Sequence, residues 1–189
     1  MKKSEIRKKI LEIRKKGYQK KSEISFDYLL NYLKINGVNG KLIGGYYPYN
    51  YEVNVINILE KFERKNYLIS LPKIKKNYRM DFFNWSTKDP LEINKYGIPE
   101  PISKNIKYPD ILLIPLVAFD KFFNRVGYGG GFYDRYIERL KKRKKTVTIG
   151  LAYSFQKVKK IPINHTDIKL DFIITEKNKI KWEYYFWEM

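Results

Sequence analysis

Apolar side chains recur at helical spacing in several parts of the chain. Ile6, Ile10 and Ile13 are four and three positions apart, which places them on one face of an α-helix over residues 2–16. Further helices are predicted from a cap at Ser22 to about Leu33, over residues 52–64, and from about Tyr133 to Arg143.

Short apolar runs between these helices predict β-strands. The run DILLIPL at 110–116 is almost continuously apolar, which is typical of a central parallel strand covered on both faces. In KLIGGYY, residues 41–47, the two glycines indicate that a neighbouring element packs close to the backbone. Other strands are predicted at YLISLP (67–72, ended by Pro72), YRMDFFNW (78–85), TVTIGLAY (146–153), DFIITE (171–176) and Lys179–Glu183, whereas residues 88–109, with four of the eight prolines, are predicted to be mostly irregular.

Strands that alternate with helices indicate an α/β fold. We expect a mostly parallel sheet flanked by helices on both faces, in a Rossmann-like three-layer arrangement. The sequence has 189 residues and shows no internal repeat, low-complexity linker or change in composition. A single domain over residues 1–189 is therefore expected.

Composition narrows the classes of function. Apolar residues make up 43% and charged residues 31% of the chain. No stretch approaches the roughly 18 consecutive apolar residues of a membrane span. The basic N-terminus lacks the apolar segment of a signal peptide, so a cytoplasmic protein without membrane contact is expected. The absence of cysteine excludes disulfides, thiolate metal sites and a cysteine nucleophile.

The formal net charge of +19 suggests a nucleic-acid partner at first sight. However, lysine outnumbers arginine 31 to 8 and isoleucine outnumbers alanine 24 to 2, a bias that extends over the whole chain. A dedicated groove would favour arginine, whose planar side chain binds phosphate with two parallel hydrogen bonds. We therefore expect scattered basic residues, an acidic small-molecule ligand and no nucleic-acid partner.

The segment RVGYGGGFYDRY at 125–136 follows the predicted central strand, where open α/β sheets bind their ligands. Glycines there allow backbone N–H groups to contact an anion, and the start of the next helix adds positive charge. Arg125 would contribute a charged side chain, and Asp134 a carboxylate able to hold Mg²⁺. The spacing matches neither GxGxxG nor GxxxxGK[ST], so neither the dinucleotide nor the Walker mechanism applies. A glycine-rich turn without a ligand is the alternative.

This segment resembles the glycine-rich motif of the 5-formyltetrahydrofolate cyclo-ligase family, also called 5,10-methenyltetrahydrofolate synthetases. A chance glycine run would be a local match, whereas this resemblance extends in the same order over nearly the whole chain. It includes Lys3 and Arg7 at the N-terminal Lys-x-x-x-Arg spacing, Glu52–Val53, YGIPEP (96–101), IPLVAFD (114–120), Phe155–Gln156 and PINHTDIKLDFIITE (162–176).

The resemblance implies an ATP-dependent carbon–nitrogen ligase. Members of the family use ATP and Mg²⁺ to close the N5-formyl group of 5-formyltetrahydrofolate onto N10, giving 5,10-methenyltetrahydrofolate, ADP and phosphate. Phosphorylation turns the formyl oxygen into a leaving group, and N10 of the same molecule then attacks, so positioning supplies much of the rate. We expect a monomer that binds these two substrates. The alternatives are a nucleotide- or folate-binding protein of the same fold with degraded catalysis, and a basic RNA-binding module.

The resemblance also assigns roles to single residues. Arg125 and Asp134 are the expected catalytic residues, and Asp134 and Asp167 are the expected metal ligands. ATP is expected to contact Lys3, Arg7, Arg125, Gly127, Tyr128, Gly129, Gly130, Gly131, Phe132 and Tyr133. Folate is expected to contact Tyr47, Glu52, Met80, Tyr96 and Phe132. Phe132 replaces the family's usual tyrosine, so a hydroxyl contact would be lost there while stacking on the pterin would remain.

Several of these residues also have a purely structural interpretation. His165, the single histidine, is expected to be structural or exposed, because phosphoryl transfer and intramolecular attack do not require it. The structural alternatives are a solvated basic helix for Lys3 and Arg7, a helix N-terminus for Glu52 and Asp134, and the core for Met80 and Phe132.

Overall fold

A computed structural model describes residues 1–17 and 23–177 of the chain. The helices in these residues are α1 (Lys3–Gly17), α2 (Phe26–Ile35), α3 (Ile56–Glu63) and α4 (Phe132–Arg143). Ser25 caps α2, because its hydroxyl accepts a hydrogen bond from the backbone N–H of Tyr28. The predicted cap at Ser22 lies outside the described residues.

The helix predicted over residues 52–64 begins later than expected, at Ile56. Asn50 and Tyr51 have positive φ angles of 47° and 62° and form a turn. The Glu52 carboxylate closes this turn by accepting the backbone N–H of Tyr49 at 3.0 Å. The start predicted at residue 52 is therefore wrong, since Glu52 belongs to a turn that precedes the helix.

Within residues 1–17 and 23–177, seven strands form the main sheet and two hairpins lie outside it. The strands are β1 (Leu42–Gly44), β2 (Leu68–Ile74), β3 (Met80–Trp85), β4 (Leu91–Ile93), β5 (Pro99–Pro101), β6 (Ile106–Lys107), β7 (Ile111–Pro115), β8 (Ala118–Phe119), β9 (Arg125–Val126), β10 (Val147–Ala152) and β11 (Phe172–Thr175). The main sheet has the order β11-β10-β7-β1-β2-β3-β6, and β4–β5 and β8–β9 are the hairpins. Neighbouring strands from β11 to β2 are parallel, whereas β3 is antiparallel to both of its neighbours, β2 and β6. The prediction of a mostly parallel sheet with DILLIPL as an interior strand is confirmed.

One detail of the strand prediction is wrong. Pro72 does not end β2, which continues to Ile74. Pairing between β2 and β1 extends only to Ser70, so the missing N–H of Pro72 removes no hydrogen bond to β1. The proline-rich residues 88–109 are mostly irregular, as predicted, and contain only the short strands β4, β5 and β6. The predicted strand at Lys179–Glu183 lies outside the described residues.

The sheet buries apolar side chains on both faces. Along β7, Ile111 and Leu113 pack in one cluster with α2 and α3, whereas Leu112 and Ile114 pack in a second cluster with α4. This alternation is the signature of a strand covered on both sides. The predicted three-layer arrangement is therefore confirmed in the described residues.

The glycines of β1 mark a close approach, as predicted. A Cβ atom on Gly44 would lie 2.6 Å from the Pro109 ring and 2.9 Å from that of Phe82. A Cβ atom on Gly45 would lie 2.6 Å from the side chain of Leu59 in α3. Neither Gly44, the last residue of β1, nor Gly45, the first residue after it, therefore leaves room for a side chain, and the loop begins close to the core.

Helix α1 does not cover the main sheet. Its Ile6 and Ile10 pack in a third cluster with Val117, Ala118 and Val126 of the β8–β9 region. This contact holds the N-terminal helix across the segment that leads into the glycine-rich loop. None of the helices in residues 1–17 and 23–177 has both the length and the apolar content needed to cross a membrane.

Candidate active site

The glycine-rich loop joins β9 to α4 at the carboxyl end of the parallel strands. Gly129 has a φ angle of 102°, and Gly131, the N-cap of α4, has a φ angle of 63°. Both values favour glycine. A Cβ atom on Gly130 would lie 2.6 Å from the Phe132 ring. The loop therefore requires small residues at successive positions, and its shape depends on the glycines.

The start of α4 has the properties of an anion site. The first N–H groups of an α-helix have no acceptor within the helix, and a glycine N-cap supplies no side-chain acceptor. The N-terminal end of the helix also carries partial positive charge. Phosphate oxygens would satisfy these donors.

A buried carboxylate fixes the hairpin that presents Arg125. Asp120 is only 1% exposed. Its oxygens accept the backbone N–H groups of Phe122, Asn124 and Ile161 at 2.9 to 3.1 Å. These donors anchor the β8–β9 turn to the segment beyond β10. The hairpin therefore holds the backbone of Arg125, on β9, in a fixed position.

Helix α1 brings two cations to the loop. The Arg7 side chain donates from Nε to the carbonyl oxygen of Gly127 at 2.8 Å, and a Cβ atom on Gly129 would lie 3.3 Å from its guanidinium. Lys3, one turn earlier, forms an ion pair with Asp167. The structure therefore places Lys3 and Arg7 beside the predicted phosphate and metal residues, which a solvated basic helix would not require.

Arg125 and Asp134 form a second ion pair. The Arg125 side chain, 6% exposed, donates to Oδ1 of Asp134 at 2.8 Å. Oδ1 also accepts the backbone N–H of Ile168 at 3.0 Å, and Arg125 donates to the carbonyl oxygen of Ile168. These bonds connect the first turn of α4 with the segment that contains Asp167.

The charge environment keeps Asp167 ionised. Partial burial alone would raise the pKa of this carboxyl group. The hydrogen bond from Lys3, the backbone N–H of Asn164 and the positive charge of Arg125 outweigh burial and lower the pKa below its usual value. An ionised carboxylate is the form that a divalent cation requires.

The two aspartates fit a magnesium ion shared with phosphate. In the described residues, the hydrogen bonds of Asp134 fall on Oδ1 and those of Asp167 fall on Oδ2. The other oxygen of each carboxylate is therefore available to a ligand. The described residues contain no group of three or more His, Cys, Asp or Glu side chains that could hold a metal by themselves. Mg²⁺ commonly takes one or two carboxylates and completes its coordination with phosphate and water.

Glu52 lies near the loop, in the turn whose Tyr49 ring contacts that of Tyr128. It is 6% exposed, and burial raises its pKa to about 7 against the opposing effects of the Tyr49 N–H and the positive charge of Arg14. Its charge also raises the pKa values of Tyr128 and Tyr133, in each case after burial as the larger cause. The carboxylate therefore lies close enough to the glycine segment to interact with two of its tyrosines.

The other predicted folate residues have different positions. Met80 is 3% exposed and packs in the cluster that contains Phe82, so the structure supports the core interpretation of this residue. Phe132 is half-buried, with its ring centroid 6.0 Å from that of Tyr78. Tyr47 is half-buried in the loop after β1, and Tyr96 is 45% exposed in the β4–β5 turn. The structure thus brings Glu52 and Phe132 to the glycine loop, and it places Tyr96 on a separate hairpin.

The sequence interpretation missed Arg14. Ile13, predicted to face inward on α1, is 39% exposed, whereas Arg14 is 1% exposed and donates to the Tyr128 hydroxyl at 3.0 Å. A strict four-residue spacing from Ile6 and Ile10 leads to residue 14, which would have revealed an arginine on the buried face. His165, by contrast, is exposed in the turn before Asp167, as expected.

Comparison with known proteins decides the family. The model of the 5-formyltetrahydrofolate cyclo-ligase family matches residues 1–176. The chain belongs to this family. The 5-formyltetrahydrofolate cyclo-ligase of Haemophilus influenzae is 35% identical over 138 residues, which cover 69% of this chain and 73% of the relative.

Solved structures of relatives have the same fold. The 5,10-methenyltetrahydrofolate synthetase of Mycoplasma pneumoniae aligns with a TM-score of 0.73 and 28% identity, over 94% of this chain and all of the other. That of Aquifex aeolicus aligns with a TM-score of 0.75 and 30% identity, over 94% and 91%. The predictions of a cyclo-ligase family member, of the ligase class and of a place in folate metabolism are confirmed. The family also implies the use of ATP.

Proposed function

We propose that this cyclo-ligase family member converts 5-formyltetrahydrofolate and ATP into 5,10-methenyltetrahydrofolate, ADP and phosphate. The observation that carries the proposal is the arrangement around Asp134. This carboxylate lies in the first turn of α4, directly after the glycine loop, and is held by Arg125 and the Ile168 N–H. Anion donors, a fixed cation and a metal-binding carboxylate are thereby combined within a few residues.

The phosphate chain of ATP is assigned to the glycine loop and the cations around it. Residues 127–131 supply backbone N–H groups, and α4 supplies the positive end of its dipole. Lys3, Arg7 and Arg125 supply positive charge at three positions around the loop. Phosphoryl transfer depends on positioning and charge neutralisation, which this arrangement provides.

Asp134 and Asp167 would hold Mg²⁺. The metal would neutralise charge that develops between the β- and γ-phosphates. Arg125 interacts with both aspartates. It forms an ion pair with Asp134, and its positive charge helps to lower the pKa of Asp167. Arg125 and Asp134 are accordingly the proposed catalytic residues.

Glu52 and Phe132 are assigned to the pterin. A carboxylate accepts hydrogen bonds from pterin N–H groups, and an aromatic face stacks on the flat ring. Because both residues lie beside the glycine loop, the formyl oxygen can be held close to the phosphates. Transfer of the γ-phosphoryl group to that oxygen weakens the carbon–oxygen bond. Attack by N10 on the same carbon then expels phosphate, and holding the two nitrogens in one geometry accelerates the closure.

The direct test is an absorbance assay. Protein, MgATP and 5-formyltetrahydrofolate are mixed, and the methenyl chromophore is followed in the near ultraviolet. We expect an increase that requires ATP and Mg²⁺ together. If absorbance stays constant while calorimetry detects binding of both substrates, the chain is a binding protein with degraded catalysis.

Asp134→Asn tests the proposed role of this residue. The variant keeps the size of the side chain but weakens metal binding, so turnover should fall by a factor of about 100 or more, the cost of losing one strong electrostatic contact in a transition state. Folate affinity measured by calorimetry should change less than threefold. Equal losses in turnover and in folate affinity would show that Asp134 has another role.

A further inference from the structure

Arg14 is a buried cation near the C-terminus of α1 that the proposed reaction leaves without a role. It follows Ile6 and Ile10 in the row that faces the protein interior. Its hydrogen bonds go to uncharged oxygen atoms, those of Asn50, Leu116 and Tyr128. Burying a guanidinium is costly, and apolar residues often stabilise such positions equally well. The charge of Arg14 also lowers the pKa of the nearby Glu52, but its hydrogen bonds in the described residues all go to uncharged groups, so its contacts call for a further explanation.

The contacts of Arg14 connect four segments of the chain. From α1, its NH1 group donates to the Tyr128 hydroxyl in the glycine loop at 3.0 Å and to the carbonyl oxygen of Asn50 in the turn after β1 at 3.5 Å. Its NH2 group donates to the carbonyl oxygen of Leu116, after β7. The Leu116 oxygen also accepts the side-chain amide of Gln156 at 2.7 Å, which fixes its position further.

Tyr128 is the point at which the glycine loop can be held by a side chain. It is the one residue between Gly127 and Gly131 that is not glycine. The loop is otherwise held from α1 through the bond from Arg7 to the Gly127 oxygen. Glycine-rich backbone loses more freedom on ordering than other backbone, so an anchor that orders it beforehand improves anion binding.

The same arginine contacts the turn that carries Glu52. The Asn50 oxygen accepts from Arg14, and the Tyr49 N–H donates to the Glu52 carboxylate. The rings of Tyr49 and Tyr128 also meet edge to face, with centroids 5.9 Å apart. The turn assigned to folate and the loop assigned to ATP are therefore joined both by Arg14 and by this ring contact.

We propose that Arg14 is a positioning residue that anchors the glycine loop through the Tyr128 hydroxyl and couples ATP binding to folate binding through the turn at residues 49–52. The proposal rests on the proposed function for the identity of the two ligands. A ligand that orders the turn also holds the Arg14 side chain through the Asn50 carbonyl oxygen. Arg14 in turn holds the glycine loop through the Tyr128 hydroxyl. Each substrate should therefore increase the affinity for the other, by the same factor in both directions.

Tyr128→Phe gives the most selective test. It keeps the ring and its contact with Tyr49 and removes only the hydroxyl. Calorimetry with a non-hydrolysable ATP analogue and Mg²⁺ should show an affinity about 5- to 10-fold weaker, as expected for the loss of one hydrogen bond. In the unmodified protein, 5-formyltetrahydrofolate should raise the affinity for the analogue by a measurable factor. In the variant this factor should fall towards one. Tyr108→Phe is the matched control, since Tyr108 has similar exposure and follows β6, away from the loop.

A double-mutant cycle separates positioning from stability. If Arg14 acts through the Tyr128 hydroxyl, Arg14→Met and Tyr128→Phe together should weaken analogue binding no more than the stronger single variant. Additive losses would overturn the proposal, as would analogue affinity in Tyr128→Phe that stays within twofold of the unmodified protein. Should Arg14→Met fail to fold, the Tyr128→Phe measurements still decide the question.

The test distinguishes this inference from the proposed function. Analogue binding and its dependence on folate are measured without turnover. A protein with coupled binding but no methenyl product would contradict the proposed reaction and support the role of Arg14. A protein that forms product but binds its two substrates independently would support the reaction and overturn the coupling.

Discussion

Tyr133 carries a buried hydroxyl group at the start of α4, and this group has no hydrogen-bond partner within residues 1–17 and 23–177. Its pKa is raised, first by burial and then by the charge of Glu52, while the charge of Arg125 opposes the shift. The hydroxyl thus lies within electrostatic range of both the carboxylate assigned to folate and the arginine assigned to phosphate. An unpaired buried hydroxyl costs about 1–3 kcal/mol of stability. A substrate atom that paired with it would recover this energy on binding.

Tyr133→Phe should therefore have opposite effects on stability and on substrate use. We expect a midpoint of denaturation equal to or above that of the unmodified protein, and a KM for 5-formyltetrahydrofolate or ATP at least about fivefold higher. Tyr136→Phe is the control, because Tyr136 also has a buried unpaired hydroxyl but packs in the core with Phe82. It should stabilise the protein without changing KM. An unchanged KM in Tyr133→Phe would show that its hydroxyl does not contact a substrate.

Glu52 should make stability depend on pH. Its pKa is about 7 in the folded protein, against an ordinary value of 4.5. Between these values the folded protein binds more protons than the unfolded chain, so stability falls as pH rises through this range and does not recover above it. Glu52→Gln removes this contribution. The stability of the unmodified protein relative to the variant, from denaturant titration, should be about 2–3 kcal/mol higher near pH 5 than near pH 8. A difference that does not change with pH would show that Glu52 is ionised throughout.

At the scale of single elements, α1 is the helix whose role the sequence specified least. The spacing of Ile6 and Ile10 correctly predicted a buried face. The third buried residue of that face is Arg14, however, and not Ile13 as predicted. Propensity does not distinguish a buried arginine from a solvated one in a lysine-rich helix. Only the acceptors supplied by Leu116, Asn50 and Tyr128 make this burial possible, and they come from distant segments.

The predictions that succeeded rest on local pattern. The apolar run of β7 and the glycines of β1 could be interpreted from the sequence, because burial on both faces and close backbone approach each leave a local signature. The extension of β2 past Pro72 could not, because it depends on where β1 stops pairing. Arg125, Asp134 and the glycines between them could be proposed from the sequence alone. The other site residues came from family resemblance, since nothing local links Lys3 with Asp167, 164 positions later.

The pairing of Lys3 with Asp167 gives a prediction for α1. Each side chain is about a quarter exposed, with relative exposures of 23% and 25%, so their ion pair should contribute at most about 1 kcal/mol to stability. If Lys3 instead serves the phosphates, Lys3→Met should raise the KM for ATP about tenfold or more while the denaturation midpoint changes little. Lys9→Met, at an exposed position of the same helix, is the control and should leave KM unchanged. Equal effects of the two variants would show that α1 acts only through its net charge.

Across the whole molecule, basic residues greatly exceed acidic ones, 39 to 20. Part of the excess lies in the last turns of helices, at Lys15 and Lys16 in α1 and at Lys141, Lys142 and Arg143 in α4, where cations interact favourably with the helix dipole. Other cations pair with carboxylates, as Lys73 does with Glu92 and Lys144 with Asp110. The basic residues of these described parts therefore have local roles on separate elements, which does not favour one continuous binding strip for a polymer.

The charge distribution leads to a prediction about RNA. Scattered lysines attract a polyanion only through long-range forces, which salt screens beyond about 10 Å at 0.1 M ionic strength. A random single-stranded RNA of about 20 nucleotides should bind with a Kd of about 10⁻⁵ M or weaker near physiological salt. The KM for ATP should change much less with salt, because Lys3, Arg7 and Arg125, the cations proposed to contact its phosphates, are gathered in one partly buried site. The two salt dependences are measured by fluorescence anisotropy and by the absorbance assay between 50 and 200 mM salt. Tight RNA binding that persists at 200 mM would show that the basic surface is organised, and RNA would then be a second partner of this protein.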